Sequence, residues 1–138
     1  MSFDLTTKQL DLKARARELA AGIVAKNAAE VDKSEQYPWD NVKALKEAGF
    51  MGMTIPTELG GPGLNFLDAN LVVEEMASYC GPTGRIAVEA NMGAISAVVH
   101  YGTETQKRLA ADLVLDGDKP AICITEPEAG SAASQMTT

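Results

Sequence analysis

Apolar residues recur every three or four positions in five separate segments of the chain, which is the spacing of one face of an α-helix. The first segment, residues 7–28, follows Thr6 and Gln9, whose spacing is that of a helix-capping box. Residues 30–36 are polar and rich in charge, so they predict a solvated connection. The chain is therefore expected to begin with one long amphipathic helix and a loop.

The second and third segments have recognisable starts and ends. Pro38 fits the first turn of the second helix, Trp39 is expected to pack there, and Gly49 fits the position just after the helix end. Asn65 is a good N-cap for the third helix, and Asp68 adds a negative charge where the helix dipole favours one. The glycines and prolines between these helices predict irregular connections.

The fourth segment, residues 84–100, is apolar on almost every face, which is typical of a helix buried at the centre of a domain. Thr103 and Gln106 form a second capping-box pattern and open a fifth helix that ends near Gly117. The pattern as a whole predicts a mainly α-helical domain of five helices.

A short apolar run, residues 121–124, follows and predicts a buried strand. The strand would end at Thr125, after which Pro127 fixes the backbone of a tight turn and residues 129–131 are all small. With the hydroxyls of Thr125 and Ser131, such a turn suits a phosphate group or the polar edge of a heterocycle. From these residues alone, an ordinary junction between a strand and a loop is the simpler explanation.

Composition and net charge limit the classes of binding partner and the cellular compartment that we expect for this chain. The chain has 138 residues and a formal net charge of −7, which argues against nucleic acid or anionic lipid as the main partner. No stretch is apolar over the length that a membrane span needs, and residues 1–4 lack the features of a secretory signal. Cys80 and Cys123 are not spaced as metal ligands, so we expect no metal site and a cytoplasmic protein with reduced thiols.

Residues 124–131 read Ile-Thr-Glu-Pro-Glu-Ala-Gly-Ser, which closely resembles the T-E-P-x-A-G-S signature of the acyl-CoA dehydrogenase family. Three shorter matches lie elsewhere. Residues 48–52 resemble the family's A-G-x-x-G pattern, residues 55–61 its I-P-x-x-x-G-G pattern, and residues 102–107 its G-x-x-x-Q-K pattern. The resemblance covers nearly the whole chain, but only the front part of a family member.

This resemblance implies a mainly α fold: the N-terminal helical-bundle domain of the family, residues 1–118, running into the first strand of its middle β-barrel domain, residues 119–138. A lone strand cannot satisfy its own backbone hydrogen bonds, so further chain or a second chain is expected to complete that domain. The family also implies bound FAD, an acyl-CoA substrate and a homotetramer. For a dehydrogenase it implies the electron-transfer flavoprotein as a partner.

The resemblance also assigns site residues. In the family, the Thr125 position hydrogen-bonds the flavin ring, and the Ser131 position lies near the flavin pyrophosphate and the CoA thioester. In family members the helix that matches residues 89–92 helps to close the acyl pocket, although core packing explains the single acid of this segment, Glu89, at least as well. The expected FAD-binding residues are Ile122, Cys123, Ile124, Thr125 and Ser131, and the expected substrate-binding residues are Ser131 and Glu89.

The implied reaction is α,β-desaturation of an acyl-CoA thioester, in which a glutamate base removes the α-proton and a hydride passes from the β-carbon to flavin N5. In the family that base normally lies far downstream or on another helix, so neither Glu126 nor Glu128 is assigned to it. No catalytic residue is identified in this chain, which is expected to be inactive alone.

One position departs from the family pattern: Ala132 stands where the signature usually continues with aspartate. Residues 35–40 and 129–134 look like a branch that includes the 3-sulfinopropionyl-CoA desulfinases, which keep FAD but release sulfite. Desaturation is placed first because it is the larger class, and desulfination is the alternative. A non-catalytic helical interaction module is the rival from another class, although such a module has no need for the 125–131 run.

Overall fold

The computed structural model describes residues 4–118 and 121–138, and it is mainly helical, which confirms the fold class expected from the sequence. The described residues contain more α-helices than the five predicted, because two of the predicted helices are each divided. The helices are α1 (Thr7–Leu19), α2 (Ala25–Ser34), α3 (Trp39–Glu47), α4 (Phe66–Tyr79), α5 (Gly81–Asn91), α6 (Ala94–Tyr101) and α7 (Glu104–Leu115). Short 3₁₀ turns lie at Thr57–Leu59 and Ala133–Gln135.

Helix α4 lies at the centre of the bundle, packed against both α1 and α5, while α6 and α7 pack against each other. The core between the helices is apolar, and burial of such side chains is the main force that holds helices together. Phe50, Met53 and Ile55 are almost completely buried, although they come from the irregular connection between α3 and α4. This connection is therefore part of the core.

The three predicted N-caps and the glycine after α3 are confirmed, whereas Pro38 lies just before α3 and not in its first turn. The side chains of Thr6, Asn65 and Thr103 each accept a hydrogen bond from the backbone N–H three residues later. In all three cases the side chain of that later residue accepts in return from the backbone N–H of the cap, which completes a capping box. Gly49 follows α3 with a φ of 75°, a conformation that glycine adopts without steric cost.

The first predicted helix is longer than expected and is interrupted. A segment that kinks at Gly22 (φ −85°, ψ −105°), Ala20–Val24, joins α1 to α2, and α2 continues to Ser34 through most of the predicted loop. Val31 explains the extension, because it packs against the core from within the charge-rich stretch. The helix ends at Glu35, whose φ of 55° is left-handed.

The fourth predicted helix is two helices, α5 and α6, and α5 already begins at Gly81 rather than at Gly84. The break lies at residues 92–93. Asn91, fully buried just before the break, accepts a hydrogen bond from the backbone N–H of Met53 at 2.6 Å and donates to the backbone carbonyl of Phe50 at 2.9 Å. These contacts fix the end of α5 to the buried connection between α3 and α4.

Trp39, which was expected to pack at the start of α3, packs against a neighbouring ring but is not buried in the core. Its side chain is 51% exposed, and its ring lies edge-to-face against that of Tyr37 with centroids 4.7 Å apart. The buried side chain at the start of α3 is instead Asn41, which donates to the hydroxyl of Thr83 at 2.8 Å.

The predicted buried strand at residues 121–124 is also not observed in the described part of the chain. The backbone there is not assigned to a strand, and Ile122 and Ile124 are 44% and 47% exposed. A strand becomes buried only against a neighbouring element, and residues 4–118 place none over these side chains. The predicted start of the β-segment at Pro120 lies outside the described residues. Within those residues, no helix has the length and hydrophobicity needed to cross a bilayer.

Candidate functional site

The five residues that connect the helical bundle to the T-E-P turn, residues 121–125, are open to solvent. All five side chains are exposed, including the free thiol of Cys123 and the hydroxyl of Thr125. Among the described residues, no backbone–backbone hydrogen bond involves this segment. Its main-chain donors and acceptors are therefore available to a ligand or to a neighbouring strand.

A tight turn follows this segment. The backbone N–H of Glu126 donates to the carbonyl of Ala129, and the N–H of Ala129 donates to the carbonyl of Glu126, both at 3.1 Å. Pro127 fits a turn that needs no backbone donor at that position. Ala129 is 1% exposed, whereas Ser131, two residues later, is exposed. The turn therefore places one small side chain inside and presents the serine hydroxyl outside.

The carboxylate of Glu126 is engaged by the end of the loop. It accepts hydrogen bonds from the backbone N–H of Thr137 at 2.9 Å, the hydroxyl of Thr137 at 3.2 Å and the backbone N–H of Thr138 at 3.1 Å. Hydrogen bonds from Thr138 and Thr137 stabilise the charged form and lower the pKa of Glu126 to about 2. A carboxylate held in this way is a weak base, which agrees with leaving Glu126 out of the catalytic assignment.

The residues expected to bind FAD fit the group chemically. Flavin rings and pyrophosphates are recognised by backbone N–H groups and hydroxyls. The exposed segment at residues 122–125 offers both kinds of donor, and Ser131 adds a second hydroxyl. Because all five predicted residues lie within ten positions, the turn keeps them on one short stretch of chain.

Glu89, the expected substrate-side acid, lies on α5 and is buried. Its carboxylate forms an ion pair with Arg85 and accepts a hydrogen bond from the backbone N–H of Ala94 at 3.2 Å, so it caps the start of α6. A Cβ on Gly93 would clash with the same carboxylate. These contacts give Glu89 a structural task, and its role in closing an acyl pocket stays a prediction.

Sequence reasoning did not single out Arg85, although its spacing of four residues from Glu89 on one helix is the signal of such a pair.

An apolar cavity connects α6 to the candidate segment. It has a volume of about 190 Å³ and is lined by Ala94, Val98 and Leu113 on the helices and by Ala121 at the start of the segment. Ala94 therefore contacts both the Glu89 carboxylate and the cavity. The volume is below the roughly 300–1,000 Å³ of complete ligand pockets, so the cavity is at most one part of such a pocket.

A family model described as the N-terminal domain of acyl-CoA dehydrogenases matches residues 6–118. The 3-sulfinopropanoyl-CoA desulfinase of Variovorax paradoxus is 65% identical over 136 residues, which are 99% of this chain and 34% of that protein. The short-chain specific acyl-CoA dehydrogenase of Clostridium acetobutylicum is 35% identical over an alignment of 139 positions, which covers 100% of this chain and 37% of that protein.

The fold agrees with solved structures. A chain in the structure of the electron transferring flavoprotein of Acidaminococcus fermentans superposes with a TM-score of 0.88 at 33% identity, over 98% of this chain and 36% of that one. The chain thus spans about a third of the length of the relatives that it matches.

Proposed function

Since this chain belongs to the acyl-CoA dehydrogenase family, we propose that it forms the helical domain and the beginning of the FAD site of an enzyme that acts on an acyl-CoA thioester. Release of sulfite from 3-sulfinopropanoyl-CoA is the first candidate reaction, and α,β-desaturation is the second. The division into a helical domain at residues 1–118 and the start of a β-domain at residues 119–138 is part of the proposal. The family match to residues 6–118 supports it.

The ranking of the two candidate reactions rests on one observation. The chain is 65% identical to a 3-sulfinopropanoyl-CoA desulfinase but 35% identical to a short-chain dehydrogenase, over nearly the same residues. Ala132 points the same way, because it stands where the dehydrogenase signature usually has aspartate. The higher sequence identity to the desulfinase therefore places sulfite release first, whereas the larger size of the dehydrogenase class alone favoured desaturation.

The two reactions differ in their need for a partner. In desulfination the carbon–sulfur bond breaks, water supplies oxygen to sulfur and a proton to carbon, and sulfite leaves a saturated acyl thioester. No external electron acceptor is needed for that balance. Desaturation removes a proton and a hydride from the substrate, and the hydride's electrons must leave the enzyme. The electron-transfer flavoprotein is therefore proposed as a partner only for the second candidate.

FAD, when bound, would supply a hydride acceptor at N5 and a polarising ring system. The residues of this chain would hold and orient it. The exposed backbone at residues 122–125 and the hydroxyl of Thr125 suit the polar edge of the ring, and Ser131 suits the phosphate or thioester side. In this proposal the helical bundle supplies the rigid support from which the segment extends.

An anaerobic titration of the complete protein that carries this chain tests the proposal. With 3-sulfinopropanoyl-CoA we expect sulfite in proportion to thioester, and with a saturated acyl-CoA we expect the yellow flavin absorbance to persist. Bleaching by the saturated thioester without any sulfite from the sulfinate would instead support the dehydrogenase. A colourless protein that reacts with neither would support the non-catalytic helical module.

The homotetramer and the cytoplasmic location are further parts of the proposal. Both come from the expectations for the family and the composition. Sedimentation of the complete protein tests the first, and fractionation of the producing cells tests the second.

A further inference from the structure

Glu126 forms two sets of contacts that close the chain after the T-E-P run, one through its backbone and one through its side chain. Its backbone pairs with that of Ala129 in the tight turn, with both N–H···O distances at 3.1 Å. Its side chain reaches eleven and twelve positions along the chain to Thr137 and Thr138. One residue at the end of the exposed segment therefore anchors both the inner turn and the outer loop.

The outer closure uses both oxygens of the carboxylate. Oε2 accepts from the N–H and the hydroxyl of Thr137, and Oε1 accepts from the N–H of the next residue, Thr138. Two successive backbone donors that meet two carboxylate oxygens form charge-assisted hydrogen bonds, which are stronger than neutral ones. A glutamine side chain offers a single oxygen, and its NH₂ group would face one of the N–H donors.

Little else holds the ends of this loop together. Within it, the described backbone hydrogen bonds are local: Gln135 donates to the carbonyl of Ala132 at 2.9 Å, and Met136 donates to that of Ala133 at 3.3 Å. The side chains of residues 130–138 are all exposed, so burial contributes little order. Without the Glu126 carboxylate, the loop would regain the conformational freedom that its closure removes.

We infer that Glu126 is a positioning residue: its carboxylate closes residues 127–136 into a loop and thereby fixes the place of Ser131 relative to Thr125. The inference deepens the proposed function and rests on it for the identity of the ligand, FAD. Glu126 touches neither ligand nor reacting atoms in this assignment and acts through the loop.

Two matched variants of the complete protein test the inference: Glu126→Gln, and Glu128→Gln as the control. Glu128 lies in the same turn, is exposed, and has no side-chain hydrogen bond among the described residues. Three quantities are compared: the FAD dissociation constant, hydrogen exchange of the peptide that contains Thr137 and Thr138 in flavin-free protein, and the melting temperature of that flavin-free protein.

For Glu126→Gln we expect about tenfold faster exchange and about tenfold weaker FAD binding, the change produced by losing one charge-assisted hydrogen bond. The melting temperature should equal that of Glu128→Gln, because the loop lies outside the helical core. The control should keep wild-type values in all three measurements.

Equal FAD affinity in the two variants, or equal exchange, would overturn the inference. A melting temperature that falls together with FAD affinity in Glu126→Gln would also overturn it, because the residue would then act on overall stability. If the wild-type protein binds no FAD, the proposed function fails. The exchange comparison then still decides whether the carboxylate closes the loop.

Discussion

Replacing Asn91 by leucine removes the polar side chain that fixes the end of α5 to the core. The amide accepts from the N–H of Met53 at 2.6 Å and donates to the carbonyls of Phe50 at 2.9 Å and Ala87 at 2.8 Å. The Ala87 carbonyl lies one turn earlier in α5 and keeps its helical hydrogen bond. The other two backbone groups belong to residues that are at most 1% exposed and would be left without a partner.

Each buried group left unsatisfied costs about 1–3 kcal/mol, so we expect a total loss of about 3 kcal/mol in the free energy of unfolding. Urea unfolding followed by the helical circular dichroism signal measures this loss. With a slope of about 2 kcal/mol per molar urea, the midpoint should fall by roughly 1.5 M.

Asn70→Leu is the matched control. Asn70 also donates from its side chain to a backbone carbonyl, that of Phe66 at 2.9 Å, but it is exposed on α4. Water can replace this hydrogen bond, so the midpoint should change by less than about 0.3 M. Equal shifts in the two variants would refute the argument that burial of the unpaired groups determines the cost.

Three further predictions concern other parts of the chain. Thr125→Val removes one hydroxyl at nearly constant volume and should weaken FAD binding by roughly 0.5–1.5 kcal/mol without lowering the melting temperature of the apoprotein. Deleting Gly22, at the kink between α1 and α2, should change the orientation of α2 relative to α1 and lower the melting temperature, because Asn27 would lose its hydrogen bond to Asn41. The Glu126 carboxyl, whose pKa is lowered by hydrogen bonds from Thr138 and Thr137, should hold the loop closed above its ordinary pKa and release the loop as the pH falls through about 2, and a carboxyl NMR midpoint near 4.5 would contradict this.

The parts of the fold that sequence predicts well are those decided within a few residues. The capping pairs at Thr6, Asn65 and Thr103 need only a side chain and the backbone three positions later, so their spacing suffices. The bounds of α7 follow from the last of these caps and from Gly117, which has a φ of 88°.

The misplaced helix bounds depend on contacts between distant residues. The break between α5 and α6 is fixed by Asn91, whose partner Met53 lies 38 positions away. The apolar pattern of residues 84–100 does not indicate that contact. Likewise, α2 continues through the charge-rich residues 30–34 because Val31 packs against the core. The polarity of the neighbouring residues does not indicate this contact.

The candidate site also has a part that the sequence predicts and a part that depends on a contact between distant residues. The T-E-P run and its exposed hydroxyls could be found from the order of residues alone. The Glu126 contact to Thr137 could not, because a glutamate beside a proline has no pattern that points eleven positions ahead. The segment at residues 121–124 is exposed and not assigned to a strand, because an apolar run indicates only a tendency to pair and no described element lies against Ile122 and Ile124.

We propose that residues 122–125 and Ser131 contact FAD. Hydrogen exchange of the complete protein, with FAD bound and after its removal, tests that claim most directly because the exposed N–H groups of residues 122–125 are the proposed donors. Peptides covering residues 121–131 are expected to exchange at least about tenfold more slowly with FAD bound, while peptides from α1 and α2 stay unchanged. Equal exchange of residues 121–131 in the two states, in a protein that does bind FAD, would contradict it.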